Sequence, residues 1–300
     1  MSFVRIFIVV VAAVLLVSSP AGAQSVERSV FVSVLNKDAK PVTGLGPDAF
    51  NVREDGQARE VLRVSKASTP IDLAILVDNS KAATDYIQDL RRALASFVSG
   101  RAAKGHQVAL IGLADRPTVL VDYTSSAERL AQVAGRIFAQ EGSGTLLLDG
   151  LIDVSRGIQR REAERRVILA ITTEGTDFSN VGYERTLEAL DESGAQFFAL
   201  VITRGAGAAN ITSEEARNRN IVLDRGTQST GGRRDHLLSS MALPDALGRL
   251  AAELDDQYHL IYARPDTTVP PKRVEVTVRE PGLTARAVLA KPPRRPEPGK

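Results

Sequence analysis

The chain has no cysteine. Disulfide staples, thiolate metal ligands and thiol nucleophiles are therefore excluded, and the stability of the folded chain must come from packing. Histidine is nearly as scarce. His106, His236 and His259 fall before one strand-like run, in a polar stretch and inside a later strand-like run, a spacing that suggests no shared metal or general-base site. Charge of one sign is also lacking: 38 basic and 36 acidic residues are largely interspersed, for a net +2, so no broad basic face for nucleic acid is expected. No internal repeat is present.

Long apolar runs are missing beyond the N-terminus. The one there, Ile6 to Val17, follows Arg5 and precedes Ser18-Ser19-Pro20 and Ala21-Gly22-Ala23, which puts the charged, apolar and small-residue parts of a secretory signal in order. About a dozen apolar residues falls short of the roughly 20 that a spanning helix needs. Cleavage is expected after Ala23, giving a secreted or periplasmic protein with no integral membrane segment; a retained anchor is the alternative.

The remaining chain is ordinary in composition, 43% apolar and 25% charged, which argues against global disorder. Its length suits one large α/β domain with a small added sheet, or two domains. Ser29 to Leu35 is valine-rich, and Asp55-Gly56 separates Phe50–Glu54 from Val61–Val64 as a hairpin turn would. From Ile71 onward, apolar runs at 71–77, 108–113, 118–121, 167–172, 197–202 and 258–262 alternate with amphipathic helical patterns. Ser125 with Glu128 is a candidate capping box for one of these helices, and Thr212 a candidate cap for a short helix at 213–218. Strands joined by helices of this length require crossovers, so the expected fold is a doubly wound α/β structure, mainly parallel, with helices on both faces.

The stretch from Arg204 to Ser240 reads as a polar surface excursion, with Arg233-Arg234 a loop pair and Gly205-x-Gly207 a loop rather than a nucleotide motif. Arg165-Arg166 reads as a solvated cationic helix end. Val274, Val276 and Val278 alternate before Pro281-Gly282, and Leu283 to Leu289 alternates after it, a C-terminal hairpin expected to pair or pack with the N-terminal strands. The expected organisation is a signal at 1–23, a β element at 24–68, the α/β domain at 69–265, the hairpin at 266–290 and a Pro-rich, basic, disordered tail at 291–300.

Asp78-Asn79-Ser80 ends the first buried run and precedes a helix, where open α/β sheets bind ligands. Gly142-Ser143-Gly144-Thr145 and Thr173-Glu174-Gly175 would reach the same edge from other strand ends. Asp78, Ser80, Thr145 and Glu174 supply the oxygens that a hard divalent cation uses. The alternative is that Asp78 and Ser80 cap the first helix and Thr145 another.

This order of motifs resembles the von Willebrand factor type A domain, with flanks similar to bacterial secreted relatives. In that family the metal-ion-dependent adhesion site reads Asp-x-Ser-x-Ser, a distant Thr, then Asp-Gly. Asp78, Ser80 and Thr145 match; Ala82 stands where a serine is expected and Glu174 where an aspartate is, with Asp177 nearby but out of register. The resemblance implies a non-enzymatic protein-binding module. Magnesium or manganese held by Asp78, Ser80, Thr145 and Glu174 would be completed by an acidic residue of a protein partner. The alternatives are a metal-free scaffold of the same fold that binds through loops, and a metal-dependent hydrolase. The hydrolase lacks a second carboxylate, because Ser80 stands two residues after Asp78, and a serine esterase lacks its Gly-x-Ser-x-Gly elbow.

Overall fold

The computed structural model describes residues 25–203, 213–266, 271 and 273–289. The expected signal and tail, Gly205, Gly207 and Thr212 lie outside the described residues. Four strands come first: β1 (Ser25–Leu35), β2 (Phe50–Glu54), β3 (Gln57–Arg59) and β4 (Val61–Lys66). The Asp55-Gly56 turn does form, with both residues in the left-handed region at φ +49° and +82°, the backbone of a tight type I′ hairpin. Its return strand is β3, and β4, the expected return, pairs elsewhere.

The α/β part runs β5 (Ile71–Val77), α1 (Ile87–Ala103), β6 (Gln107–Gly112), β7 (Thr118–Thr124), α2 (Ala127–Gly135), α3 (Leu147–Gln159), β8 (Arg165–Thr173), α4 (Tyr183–Ser193), β9 (Gln196–Ile202), α5 (Glu214–Ile221), the single turn α6 (Thr227–Ser229), β10 (Arg234–Leu237) and α7 (Leu243–Asp255). Its six-stranded sheet has the order β10-β9-β8-β5-β6-β7, parallel except for β7. Both faces are covered. Ile71, Leu73, Ile75 and Val77 pack in the core layer that holds α1, α2 and α7, while Ala74 and Leu76 pack in the layer that holds α3 and α4. Burial on both sides is why β5, β8 and β9 read as unbroken apolar runs.

Local expectations were corrected in several places. Ser126, not Ser125, caps α2 by accepting from the Arg129 amide at 3.3 Å, and Ser213 caps α5 by accepting from Ala216 N at 3.2 Å. Arg204–Ser240 is not a surface excursion throughout: Arg219, Val222, Leu223 and Leu237 are buried, and β10 is the sheet's edge strand. Arg165 and Arg166 are buried at the start of β8. Arg165 donates to Gln257 Oε1 at 2.6 Å and lies over the Phe31 ring, and burial lowers its pKa to about 10.

The largest correction concerns Tyr258–Tyr262, expected as the last strand of the parallel sheet. With β11 (Tyr258–Pro265), β12 (Val274–Val278) and β13 (Thr284–Leu289), the flanks build two antiparallel sheets, ordered β13-β1-β11-β4 and β12-β2-β3. The expected C-terminal hairpin is therefore divided, with β12 pairing β2 and β13 pairing β1. The expected association of the two flanks is present, through Val30, Val32, Phe50, Val52, Leu260, Tyr262 and Val276.

This flank meets the sheet at the N-terminal ends of β8 and β9. Gln257 donates to Ser33 Oγ at 2.9 Å and to Gln196 Oε1 at 2.7 Å while it accepts from Arg165. Gly231 and Gly232 permit the contact: a Cβ on Gly231 would lie 2.1 Å from the Ala287 carbonyl oxygen, and one on Gly232 would lie 1.8 Å from that of Phe197. The opposite, C-terminal edge of the sheet is left to loops. No helix among the described residues is long and apolar enough to cross a membrane.

Candidate functional site

The C-terminal edge is shaped by backbone bonds that β5 extends past its end. Asp78 N donates to Ile171 O at 2.9 Å, fixing Asp78 against β8. Asn79 Oδ1 accepts from the amides of Leu113 and Ala114 at 2.9 and 3.0 Å, and Asn79 O accepts from Gln140 N at 2.9 Å. Gly112 permits this approach, since a Cβ there would lie 2.9 Å from Asn79 Oδ1. Thr145 is then delivered by its own neighbours: it bridges Ala114, Leu146 N bonds Leu113 O, and its carbonyl accepts from Phe178 N at 2.9 Å.

Three of the four expected site residues are brought together and buried. Ser80 Oγ donates to Asp78 Oδ1 at 2.7 Å and lies 3.0 Å from Thr145 Oγ1. Ser80 also caps a 3-10 turn at Lys81–Ala83 by accepting from Ala82 N at 3.3 Å, so part of the capping alternative holds. Thr145 caps nothing: the N-cap of α3 is Leu146, without a side-chain bond, and the Leu147 amide is taken by Asp177 Oδ2 at 2.8 Å. Glu174 lies on the wall of the same cavity, where Thr203 Oγ1 donates to it at 3.4 Å and His236 Nδ1 stands 4.0 Å away.

The Asp78 carboxylate is fully engaged. Oδ1 accepts from Ser80 N and Oγ at 3.0 and 2.7 Å; Oδ2 accepts from Thr172 Oγ1 at 3.4 Å and Thr173 Oγ1 at 3.1 Å. Four donors fill its roughly four lone-pair positions.

Sequence reading missed Arg219. It is buried, and its guanidinium donates to Thr172 Oγ1 at 2.9 Å, to the Thr173 carbonyl and to Gly175 O at 3.3 Å. Burial pushes its pKa down, opposed by the negative charges of Asp177 and Asp78. Asp177 is pushed up by its own burial, against hydrogen bonds from Ser179 and Leu147 and the charge of Arg219. Arg219 lines a cavity of about 510 Å³ with Ser80, Lys81, Gly144, Thr145 and Phe178.

As a set for a hard divalent cation, these residues fit poorly. The Asp78 carboxylate already accepts from four donors, Ala82 offers no oxygen on its side chain, Glu174 bonds Thr203 instead of the cluster hydroxyls, and the Arg219 guanidinium lies one hydroxyl from Asp78. Among the described residues no group of three or more His, Asp or Glu side chains is placed to hold a metal ion.

A mostly parallel, doubly wound sheet with a polar cluster at the C-terminal ends of its strands defines the class, an open α/β domain, in which that edge is the usual ligand position. Residues 73–176 match the family described as von Willebrand factor type A domain, and this segment carries such a domain. A von Willebrand factor type A structure from Catenulispora acidiphila is 13% identical, covering 88% of this chain and 72% of that one, with a TM-score of 0.48. Proximal thread matrix protein 1 from the mussel byssus, with a zinc-occupied MIDAS motif, is 16% identical over 71% of this chain and 50% of that one, at TM-score 0.49. The vWF domain of a type V pilus tip protein from Porphyromonas gingivalis is 19% identical, at TM-score 0.34, and the match spans 37% of this chain and only 40% of that one. No curated protein matches in sequence.

Proposed function

We propose that the chain is an exported protein-binding module, not an enzyme, whose partner docks on the C-terminal edge of the central sheet. The observation that carries this reading is where the exposed hydrophobic groups fall. The large hydrophobic residues most exposed among the described residues are Leu238 at 88%, Met241 at 80%, Phe138 and Val119 at 62% and Phe178 at 61%. All five sit at this edge. Leu238 follows β10, and Met241 neighbours Ser240, which bonds Asp89 in the first turn of α1. Phe138 precedes Gln140 on Asn79, Phe178 lines the cavity and Val119 pairs with Ile111 near the end of β6. Phe178 lines the polar cavity and the other four are spread along the same edge of the sheet, and exposed apolar groups on one face with a polar centre are what a protein interface presents.

Export rests on the leader at 1–23, which precedes the expected mature start at Gln24. We propose boundaries for the α/β domain at about residues 69–257, with β11 assigned to the flank that it pairs in. The alternative mechanism, a magnesium or manganese ion completed by a partner's acidic residue, lacks free lone pairs on Asp78. A hydrolytic role lacks an activated nucleophile: Ser80 donates to Asp78, and that carboxylate is already saturated.

The test is capture from cell-envelope extract by the intact protein and by the triple variant Phe178→Ser, Leu238→Ser, Met241→Ser. The variant should keep its far-UV spectrum and melting temperature, because these side chains are exposed, yet lose the captured protein. Equal capture by a folded variant would refute the docking edge.

A further inference from the structure

The Asp78 carboxylate is hydrogen-bonded on both oxygens without an added ion. Arg219 Nη2 donates to Thr172 Oγ1 at 2.9 Å, and that hydroxyl in turn donates to Asp78 Oδ2 at 3.4 Å, so the guanidinium lies one hydroxyl away from the carboxylate. Its remaining contacts to the Thr173 and Gly175 carbonyls fix it at the end of β8. The oxygens are equally occupied. Asp78 has four donors, and Ser80 Oγ gives its proton to Asp78 while it accepts from Ala82 N and faces Thr145 Oγ1. A cation entering here would have to strip donors from Asp78 and sit beside a buried positive charge in a medium where charges interact strongly.

We propose that Arg219 takes the electrostatic place of a bound cation, making this a metal-independent edge in which Arg219 and Asp78 form a built-in charge pair bridged by Thr172. Asp177, and after it Asp78, attract this charge, and both are buried. The chain therefore needs no divalent ion to hold its site in shape. Binding at this edge uses its hydroxyls, backbone and apolar rim rather than a coordinate bond. The inference concerns the site of the proposed function but is tested without a partner, so either can fail alone.

The experiment is thermal unfolding of the intact mature chain in chelator and in millimolar magnesium or manganese, together with calorimetric titration of each metal alone. The wild type should show no saturable heat, and its melting temperature should be the same in chelator and metal. In chelator, Asp78→Asn should lower the melting temperature by about 5 °C, because a buried guanidinium loses one of the two negative charges that attract it and the Ser80, Thr172 and Thr173 donors lose their carboxylate. The same substitution in an Arg219→Gln background should cost much less. Saturable metal binding by the wild type, or an Asp78→Asn chain in chelator as stable as the wild type or more so, would overturn the proposal. Should Arg219→Gln fail to fold, those two measurements on the wild type and Asp78→Asn still decide it.

Discussion

Single residues in this protein place titratable groups where burial and neighbouring charges decide whether they ionise. His106 is an instance outside the site. It is buried where α1 hands over to β6, and its Nδ1 accepts from the Ile71 amide at 3.2 Å. Burial, then the positive charges of Arg101, Arg165 and Lys104, against an opposing Asp255, push its pKa down to about 4. Since the unfolded side chain protonates near 6.5, the neutral form contributes its full stability above that pH. That contribution is lost as pH falls from about 6.5 toward about 4, amounting to roughly 2–3 kcal/mol. Chemical unfolding of wild type and His106→Gln across that interval should give a steeper decline for the wild type. Parallel declines would contradict the assignment.

At the scale of elements, the flank is tied to the α/β part by buried ion pairs. Glu253 on α7 is almost fully buried, pairing with Arg233 just before β10 and with Arg286 on β13 at 2.8 Å. Glu253→Gln keeps the shape but leaves the Arg286 guanidinium short of a counter-charge, while Arg233 keeps Asp235 at 2.9 Å, and should cost about 2 kcal/mol in a urea titration. An unshifted midpoint would contradict the role. Much of this layout could be read from the sequence: unbroken apolar runs announced the buried parallel strands, and Asp55-Gly56 announced its hairpin. β11 misled because Tyr258–Tyr262 is apolar enough to pass for a central strand. Its burial nevertheless alternates, and buried positions such as Tyr262 sit beside less buried ones such as Ile261, the mark of a sheet covered on one face. β10, with the sequence Arg-Asp-His-Leu, had no apolar signal at all. Asp78, Ser80 and Thr145 could be found because strand ends place them together. Arg219 could not, because an arginine on a polar helix looks solvated until the open carbonyls at the end of β8 are seen to receive it.

Over the whole molecule, the two edges of the central sheet have opposite fates. The N-terminal edge is closed by the flanking β-layers through the Gln257, Gln196, Ser33 and Arg165 network. The C-terminal edge keeps its cavity, its hydroxyl cluster and its exposed apolar rim. On the function proposed above, the partner docks on this C-terminal edge. The most direct measurement is site-specific photocrosslinking in intact cells, with the reactive side chain placed at Phe178 or Leu238 on the open edge and, as control, at exposed Arg160 just before β8. The account predicts a discrete crosslinked protein species from Phe178 and Leu238 and none from Arg160. The same species from all three positions, or from Arg160 alone, would contradict it.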